Sequence, residues 1–236
     1  RKEKFLFCVM NGKTKSLDTR IWCIIPAAGK SERFGTTNKL YIKVKNNFLI
    51  ENSIKPFIRL SQIYRIIIPL NKLDKKWKKT KYYNSNKVIT LIGSTSRQKS
   101  VYKSLCKIKE LGAKNSDWVI IHDAARPFFS QKDLKRFISI TLKSNWGAVI
   151  GLPASDTIKL VEKNKIISTI ERNKVWLAHT PQMFRIKDLL KGYEFCKKNK
   201  LLVTDDSQVI ESIGIKPLII ESSCKNIKVT NKIDIR

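Results

Sequence analysis

Apolar residues along this chain fall into short, strand-length runs that alternate with longer stretches of helical period. Residues 22–26, Trp-Cys-Ile-Ile-Pro, form the first run and lead into a loop over residues 27–38 that is rich in small and polar residues. Residues 49–60 are amphipathic with a helical period interrupted by Pro56. Buried strands are predicted at residues 65–70 and 87–92, the second closed by Gly93. Residues 96–111 place Val101, Leu105, Ile108 and Leu111 on one helical face, with Ser96 as N-cap. A strand at 118–121 ends at His122-Asp123, a helix follows at 131–142, and a fifth strand at 147–152. Strands and helices alternating at this spacing predict βαβ units: an α/β fold, Rossmann-like, with a mainly parallel sheet and helices on both faces. Ligands of such sheets lie at the carboxyl ends of the strands. The unusual stretches after Pro26, Ile92 and Ile121 sit there.

The pattern changes at Pro153. Residues 156–161 and 165–170 read as two short strands joined by Glu162-Lys163-Asn164, a hairpin that leaves the sheet. Such arms commonly exchange between subunits. The chain returns through residues 176–184. Helices are predicted over 186–198 and about 205–213, the latter ending near Gly214, a suitable residue just past a helix end. Two short strands close the pattern, at 216–221 and 226–229. The expected organisation is a basic, poorly ordered N-terminal extension over residues 1–20 and a single domain over 21–236, with the β-arm at about 154–171.

Composition narrows the classes. A chain of 236 residues with 42% hydrophobic content can bury one substantial core, and no apolar stretch is long enough to cross a membrane. The formal charge of +29 is the feature that opens a second class, a nucleic-acid-binding module. Against it, the excess is lysine, accompanied by many Asn and Ile that share A/T-rich codons. The lysines are spread along the chain rather than gathered on one stretch with interleaved aromatics. Compositional drift accounts for that distribution, and a positive surface still attracts triphosphates. The five cysteines form no C-x-x-C pair and only two histidines accompany them, which leaves little for a zinc site. Scattered thiols suit a reducing compartment, a bacterial or endosymbiont-type cytoplasm or, if a leader has been lost, a plastid-type organelle. The apolar patch over residues 5–10 is too short for a secretory signal.

Three loops carry candidate chemistry. In Pro26-Ala27-Ala28-Gly29-Lys30-Ser31-Glu32-Arg33, small residues after a strand let backbone N–H groups approach a phosphate, and Arg33 and Lys39 are available to neutralise it. The loop is neither a Walker A sequence nor a dinucleotide G-x-G-x-x-G. His122-Asp123-Ala124-Ala125-Arg126-Pro127 puts charge beside small residues at a strand end. There Asp123 is suited either to ribose hydroxyls or to a metal, and Arg126 to phosphate as a fork. Gly93-Ser94-Thr95-Ser96-Arg97-Gln98-Lys99-Ser100 reads as a helix N-cap or as a wall around a base.

In order and spacing, P-A-A-G…R…K, R-x-x-S-V, H-D-A-A-R-P, D-T-x-K, R-N, T-P-Q and N-I-K-V-T resemble the 2-C-methyl-D-erythritol 4-phosphate cytidylyltransferase family of the non-mevalonate isoprenoid pathway. The resemblance runs over about residues 21–235. It implies that Ala27, Ala28 and Gly29 wrap the phosphates of CTP, that Arg33, Lys39 and Lys228 stabilise the reacting phosphates, and that Gly93, Ser94 and Ser100 border the cytosine. It puts Asp123 and Ala124 near the ribose and the acceptor substrate, and Arg126, Thr157, Arg172, Thr180 and Thr204 on the side of the acceptor polyol phosphate. Magnesium (Mg2+) is then held mainly by the CTP phosphates rather than by protein ligands. The family is a homodimer whose arm completes the partner's site. Three departures stand out: Ser31 replaces a second glycine, Asn38-Lys39-Leu40-Tyr41 replaces P-K-Q-Y, and Ser94-Thr95 stand where a glycine and an acid are usual. Rival readings are a cytidylyltransferase for ribitol 5-phosphate, a UTP-type nucleotide–sugar transferase, and the nucleic-acid module.

Overall fold

A computed structural model describes residues 19–29, 34, 38–223 and 225–235. All but the last two residues of the expected N-terminal extension, and Arg33, lie outside the described residues. The first strand, β1 (Ile21–Ile24), is buried along its whole length. Its period-two alternation sends Ile21 and Cys23 into one hydrophobic cluster and Trp22 and Ile24 into another. A strand apolar on both sides needs cover on both sides. That cover comes from α1 (Leu49–Ile58) and α3 (Gln131–Leu142) on one face, and from α2 (Arg97–Glu110), α4 (Ile186–Lys198) and α5 (Asp206–Glu211) on the other.

The main sheet also contains β4 (Ile63–Leu70), β5 (Val88–Ile92), β6 (Trp118–Ile121), β7 (Ala148–Pro153), β10 (Trp176–Arg185) and β11 (Leu218–Glu221), in the order β11-β7-β10-β6-β1-β4-β5. Only β10 runs antiparallel to its neighbours. The mainly parallel α/β sheet with helices on both faces is therefore the observed architecture. Between β7 and β10 the chain makes the hairpin β8 (Ile158–Glu162) and β9 (Lys165–Ile170), a two-stranded sheet of its own. A second small hairpin, β2 (Lys43–Val44) and β3 (Asn47–Phe48), precedes α1 and is not anticipated by the sequence pattern. Both hairpins turn on a Lys-Asn pair with positive φ, Lys45-Asn46 (50° and 55°) and Lys163-Asn164 (47° and 63°). Two-residue turns of this kind match strand twist, but they usually advertise themselves with glycine.

Residues 226–229, expected as a strand, are not one. Their backbone groups are bound by loops instead: Arg126 Nη1 donates to the Asn226 carbonyl at 2.7 Å, and the Val229 N–H donates to the Ala125 carbonyl at 2.8 Å.

At the amino end of the sheet, Asp117 is fully buried and accepts three hydrogen bonds, from the Arg20 N–H, the Lys114 N–H and the Trp22 indole N–H. Removing it strands a buried indole donor and two backbone donors. Asp117→Ala is expected to cost about 2–3 kcal/mol, lowering Tm by roughly 4–10 °C. Calorimetry checks this, and an unchanged Tm would show that water replaces the carboxylate.

Candidate active site

After β5 the chain crosses back over β4 and β1 to lay down β6 beside β1. The crossover reverses the direction of sheet growth between β1 and β6, and a crevice opens there beyond the carboxyl ends of the strands. Three loops meet at it: residues 26–29 after β1, 93–96 after β5, and 122–126 after β6. They enclose a cleft of about 890 Å³.

Gly93 is fixed by close approach. A Cβ there would lie 2.5 Å from the Cβ of Ala28 and 3.1 Å from Ser100 Oγ, so only glycine lets the β5 loop lie against the β1 loop. Ser96 caps α2, accepting from the Lys99 N–H at 3.2 Å. Ser100, fully buried one turn on, accepts from the Ser94 N–H at 2.9 Å and donates to the Ser96 carbonyl at 2.9 Å. The wall beside the cleft is thus held by its own side chains. Lys39 reaches across the opposite rim and donates to the Val229 carbonyl at 2.9 Å.

The electrostatic centre is Asp123, whose side chain is 11% exposed. Arg97 Nε lies 3.1 Å from Oδ1, Lys228 Nζ lies 2.8 Å from Oδ2, and Arg126 Nε lies 3.8 Å from Oδ2. Burial alone would raise the carboxyl's pKa. Arg97 and then Lys228 outweigh it and hold Asp123 well below the usual carboxylate range. The Asp123 N–H donates to Thr180 Oγ1 at 2.9 Å. The Thr180 hydroxyl in turn faces His122 Nδ1 at 3.2 Å, while His122 Nε2 faces the Arg126 carbonyl at 3.1 Å. A carbonyl only accepts, so His122 carries its proton on Nε2 and receives the Thr180 proton on Nδ1. The ring is fully buried, and burial pushes its pKa down to about 4.

The eight residues expected around CTP, namely Ala27, Ala28, Gly29, Gly93, Ser94, Ser100, Asp123 and Ala124, all line this one cleft, with Lys39 and Lys228. The five residues expected on the acceptor side are placed elsewhere. Arg126 is buried and its Nη1 is spent on the Asn226 carbonyl. Thr180 is buried and its hydroxyl is shared between Asp123 and His122. Both support the cleft from behind. Thr157 and Arg172 are exposed at the base of the arm, where Arg172 Nη1 donates to the Ser155 carbonyl at 2.8 Å. Thr204 is exposed ahead of α5 and is bound to Gln208 Oε1. Sequence reasoning passed over Asn71 and Lys72, which line the cleft after β4, and Arg97, whose position in the first turn of a helix is the signal that identifies it. A cation there faces the positive end of the helix dipole and calls for an acidic partner. Among the described residues no cluster of three or more His, Cys, Asp or Glu is arranged to hold a metal.

A mainly parallel sheet whose switch point opens onto a lysine-flanked, glycine-containing cleft is suited to binding a nucleotide, and the family match makes the chain an α/β nucleotidyltransferase. Residues 21–236 match the family profile described as 2-C-methyl-D-erythritol 4-phosphate cytidylyltransferase. A protein of that name from Buchnera aphidicola is 36% identical over 216 residues, 90% of this chain and 89% of its own length. The one from Dictyoglomus thermophilum is 36% identical over 217 residues, 90% of this chain and 92% of its own. The crystal structure of the Francisella tularensis 2-C-methyl-D-erythritol 4-phosphate cytidylyltransferase is similar at a TM-score of 0.81 and 35% identity, over 92% of this chain and 97% of that one. The chain belongs to the 2-C-methyl-D-erythritol 4-phosphate cytidylyltransferase family.

The buried neutral His122 makes acid stability a readout of the site. Its folded pKa of about 4 lies below its ordinary 6.5, so the unfolded chain binds the extra proton first. Stability is therefore expected to fall by about 3 kcal/mol as pH drops from 6.5 to 4. Asp123, also depressed, contributes stability that is lost at still lower pH. Urea unfolding at several pH values measures the slope. His179, half-buried and also lowered to about 4, first by burial and then by Arg126, adds in the same direction. His179→Gln should reduce the slope and leave the His122 share, and abolishing it would move the effect from His122 to His179.

Proposed function

We propose that the chain transfers a cytidylyl group from CTP to 2-C-methyl-D-erythritol 4-phosphate. An oxygen of the acceptor phosphate attacks the α-phosphorus of CTP, the α–β phosphoanhydride bond breaks, and pyrophosphate leaves. The product is 4-diphosphocytidyl-2-C-methyl-D-erythritol, a precursor in isoprenoid biosynthesis. The observation that carries the reading is the single cleft in which all eight candidate CTP residues meet Lys39 and Lys228. The acceptor phosphate is already an anion near pH 7, so the reaction needs no strong base. Its difficulty is two anions meeting in line, and positioning with fixed positive charge answers that.

In this reading the amides of Ala27–Gly29 cradle the triphosphate, Arg33 and Lys39 neutralise it, and Lys228 serves the reacting phosphates. Gly93, Ser94 and Ser100 face the base. Asp123 is the one carboxylate among the described residues of the cleft, and it is engaged by cations. That suits a magnesium ion carried by the triphosphate, where it supplies charge neutralisation, rather than one seated on protein ligands.

The arm supports a homodimer. A lone two-stranded hairpin is marginal in water, yet this one exposes Leu160, Val161, Ile166, Ile167 and Ile170. A second copy that covers this surface stabilises the arm and brings Thr157 and Arg172 to the partner's cleft, where they take the acceptor phosphate. The reading includes a cytoplasmic setting. The relatives named above are bacterial, Cys23, Cys106 and Cys196 are free thiols, and no helix among the described residues is long and apolar enough to cross a membrane.

Pyrophosphate release with CTP and magnesium, offered 2-C-methyl-D-erythritol 4-phosphate and ribitol 5-phosphate in parallel, is expected only with the first. Lys39→Ala and Lys228→Ala should each fold and lose about a hundredfold or more in rate, on the order of 3 kcal/mol. Near-normal turnover in both would sink the site assignment. Arg172→Ala should raise the KM of the acceptor more than that of CTP. By sedimentation the chain, 27.3 kDa, should run as a dimer of twice that mass. Ile166→Glu combined with Ile167→Glu should yield inactive monomer. An active monomer would remove the arm from the site.

A further inference from the structure

We infer that Arg97 is a positioning residue that divides the two oxygens of Asp123, reserving Oδ2 for Lys228 and thereby fixing where that lysine stands in the cleft. The inference rests on the role of Lys228 proposed above, and its geometry is independent of the acceptor. Asp123 has two oxygens and three neighbouring cations. Arg97 Nε engages Oδ1 at 3.1 Å, Lys228 engages Oδ2 at 2.8 Å, and Arg126 Nε waits at 3.8 Å from the same Oδ2. Without Arg97, the carboxylate is free to turn onto the guanidinium of Arg126, a better fork than an ammonium. Lys228 is 40% exposed on a loop and would lose its anchor.

Arg97 is itself aimed from behind. Its Nη1 lies 2.8 Å from Oδ2 of Asp206, whose side chain is wholly buried in the first turn of α5 and also accepts from the Tyr193 hydroxyl of α4 at 2.5 Å. One guanidinium therefore ties α2, α5 and the β6 loop together through two acids lying in different directions. A planar fork spans them and a lysine ammonium reaches only one. Both terminal nitrogens of Arg97 are out of solvent, and Nη1 meets Asp206 as an ion pair rather than through a hydrogen bond. Burial on its own would lower the guanidinium's pKa, but Asp206 and then Asp123 raise it, so the pair of acids holds the charge in place.

The variants Arg97→Met, Arg97→Lys and Asp206→Asn, assayed by pyrophosphate release at matched folded concentration, test the assignment. Because Lys228 acts on the reacting phosphates, R97M is expected to lower kcat by roughly ten- to a hundredfold, with the KM of CTP changed less than about threefold. R97K, which restores the charge opposite Asp123 but not the second arm, should recover part of the loss. D206N should lower kcat less than R97M, and the double variant R97M/D206N should be no worse than R97M alone. Wild-type kcat in R97M, or a raised CTP KM with kcat intact, overturns the assignment. The first outcome makes Arg97 purely structural and the second makes it a nucleotide contact. A crystal structure of R97M gives a readout that needs no turnover. Asp123 should have turned onto Arg126 with Lys228 beyond ion-pair distance, and an unchanged Asp123–Lys228 pair overturns the proposal. Inactivity of the wild-type protein, by contrast, bears on the proposed reaction and leaves that crystallographic test standing.

Discussion

The site depends on one buried carboxylate. Asp123 gives up hydration at the end of β6, and the cost is offset only because cations approach it from three different elements. Arg97 comes from α2, Arg126 from its own loop, and Lys228 from the segment after β11. Each partner brings its backbone with it. Arg126 holds the Asn226 carbonyl, Asn226 Nδ2 donates to the Thr180 carbonyl at 2.9 Å, and Thr180 returns to the Asp123 N–H. The result is a closed ring of polar contacts in which each loop is oriented by the next, behind a cleft that has few rigid elements of its own.

The same ring explains how a chain with so much positive charge can focus it. Lysines cover the surface, and six of them stand between residues 72 and 81 alone, so the general field attracts any polyanion. Diffuse attraction does not orient a triphosphate. Orientation needs cations at fixed points, and the structure fixes them by attaching lysine tips to specific acceptors, Lys39 to the Val229 carbonyl and Lys228 to Asp123. Preorganised charge of this kind needs little rearrangement when the ligand arrives.

Much of this was legible in the sequence, for local reasons. The strand at 118–121 occurs where its continuous apolar run places it, because it is covered on both faces, and the helices at 131–142 and 186–198 occur where the apolar period places them, because each meets the sheet through a single regular face. The cleft-lining residues were legible because they lie in contiguous loops that follow strands, and sheet topology then brings those loops together. The segment 226–229 misled because Asn-Ile-Lys-Val alternates like a strand. Val229 is indeed buried, but Ile227 is 43% exposed and the backbone is bound by loops. Arg97 and Asp206 were illegible as a pair because nothing local links them. Their contact exists only once α2 and α5 share one face of the sheet. The Lys163-Asn164 hairpin was read correctly from its flanking strands, whereas the Lys45-Asn46 turn was missed for a chemical reason: lysine tolerates positive φ poorly and its flanking strands are only two residues long.

What remains is why the centre of a site for anionic substrates is an acid at all. A cleft lined only by cations would repel its own lysines, and their tips would scatter into solvent between turnovers. Asp123 cancels part of that repulsion and holds Lys228 at 2.8 Å. Its depressed pKa keeps it ionised throughout the neutral range, so the anchor does not switch off. It is also recessed, its side chain 11% exposed against 40% for Lys228. An anionic substrate therefore meets the lysine before it meets the carboxylate. Burial separates the two signs in depth, and that separation lets one acid organise a site whose task is to gather negative charge.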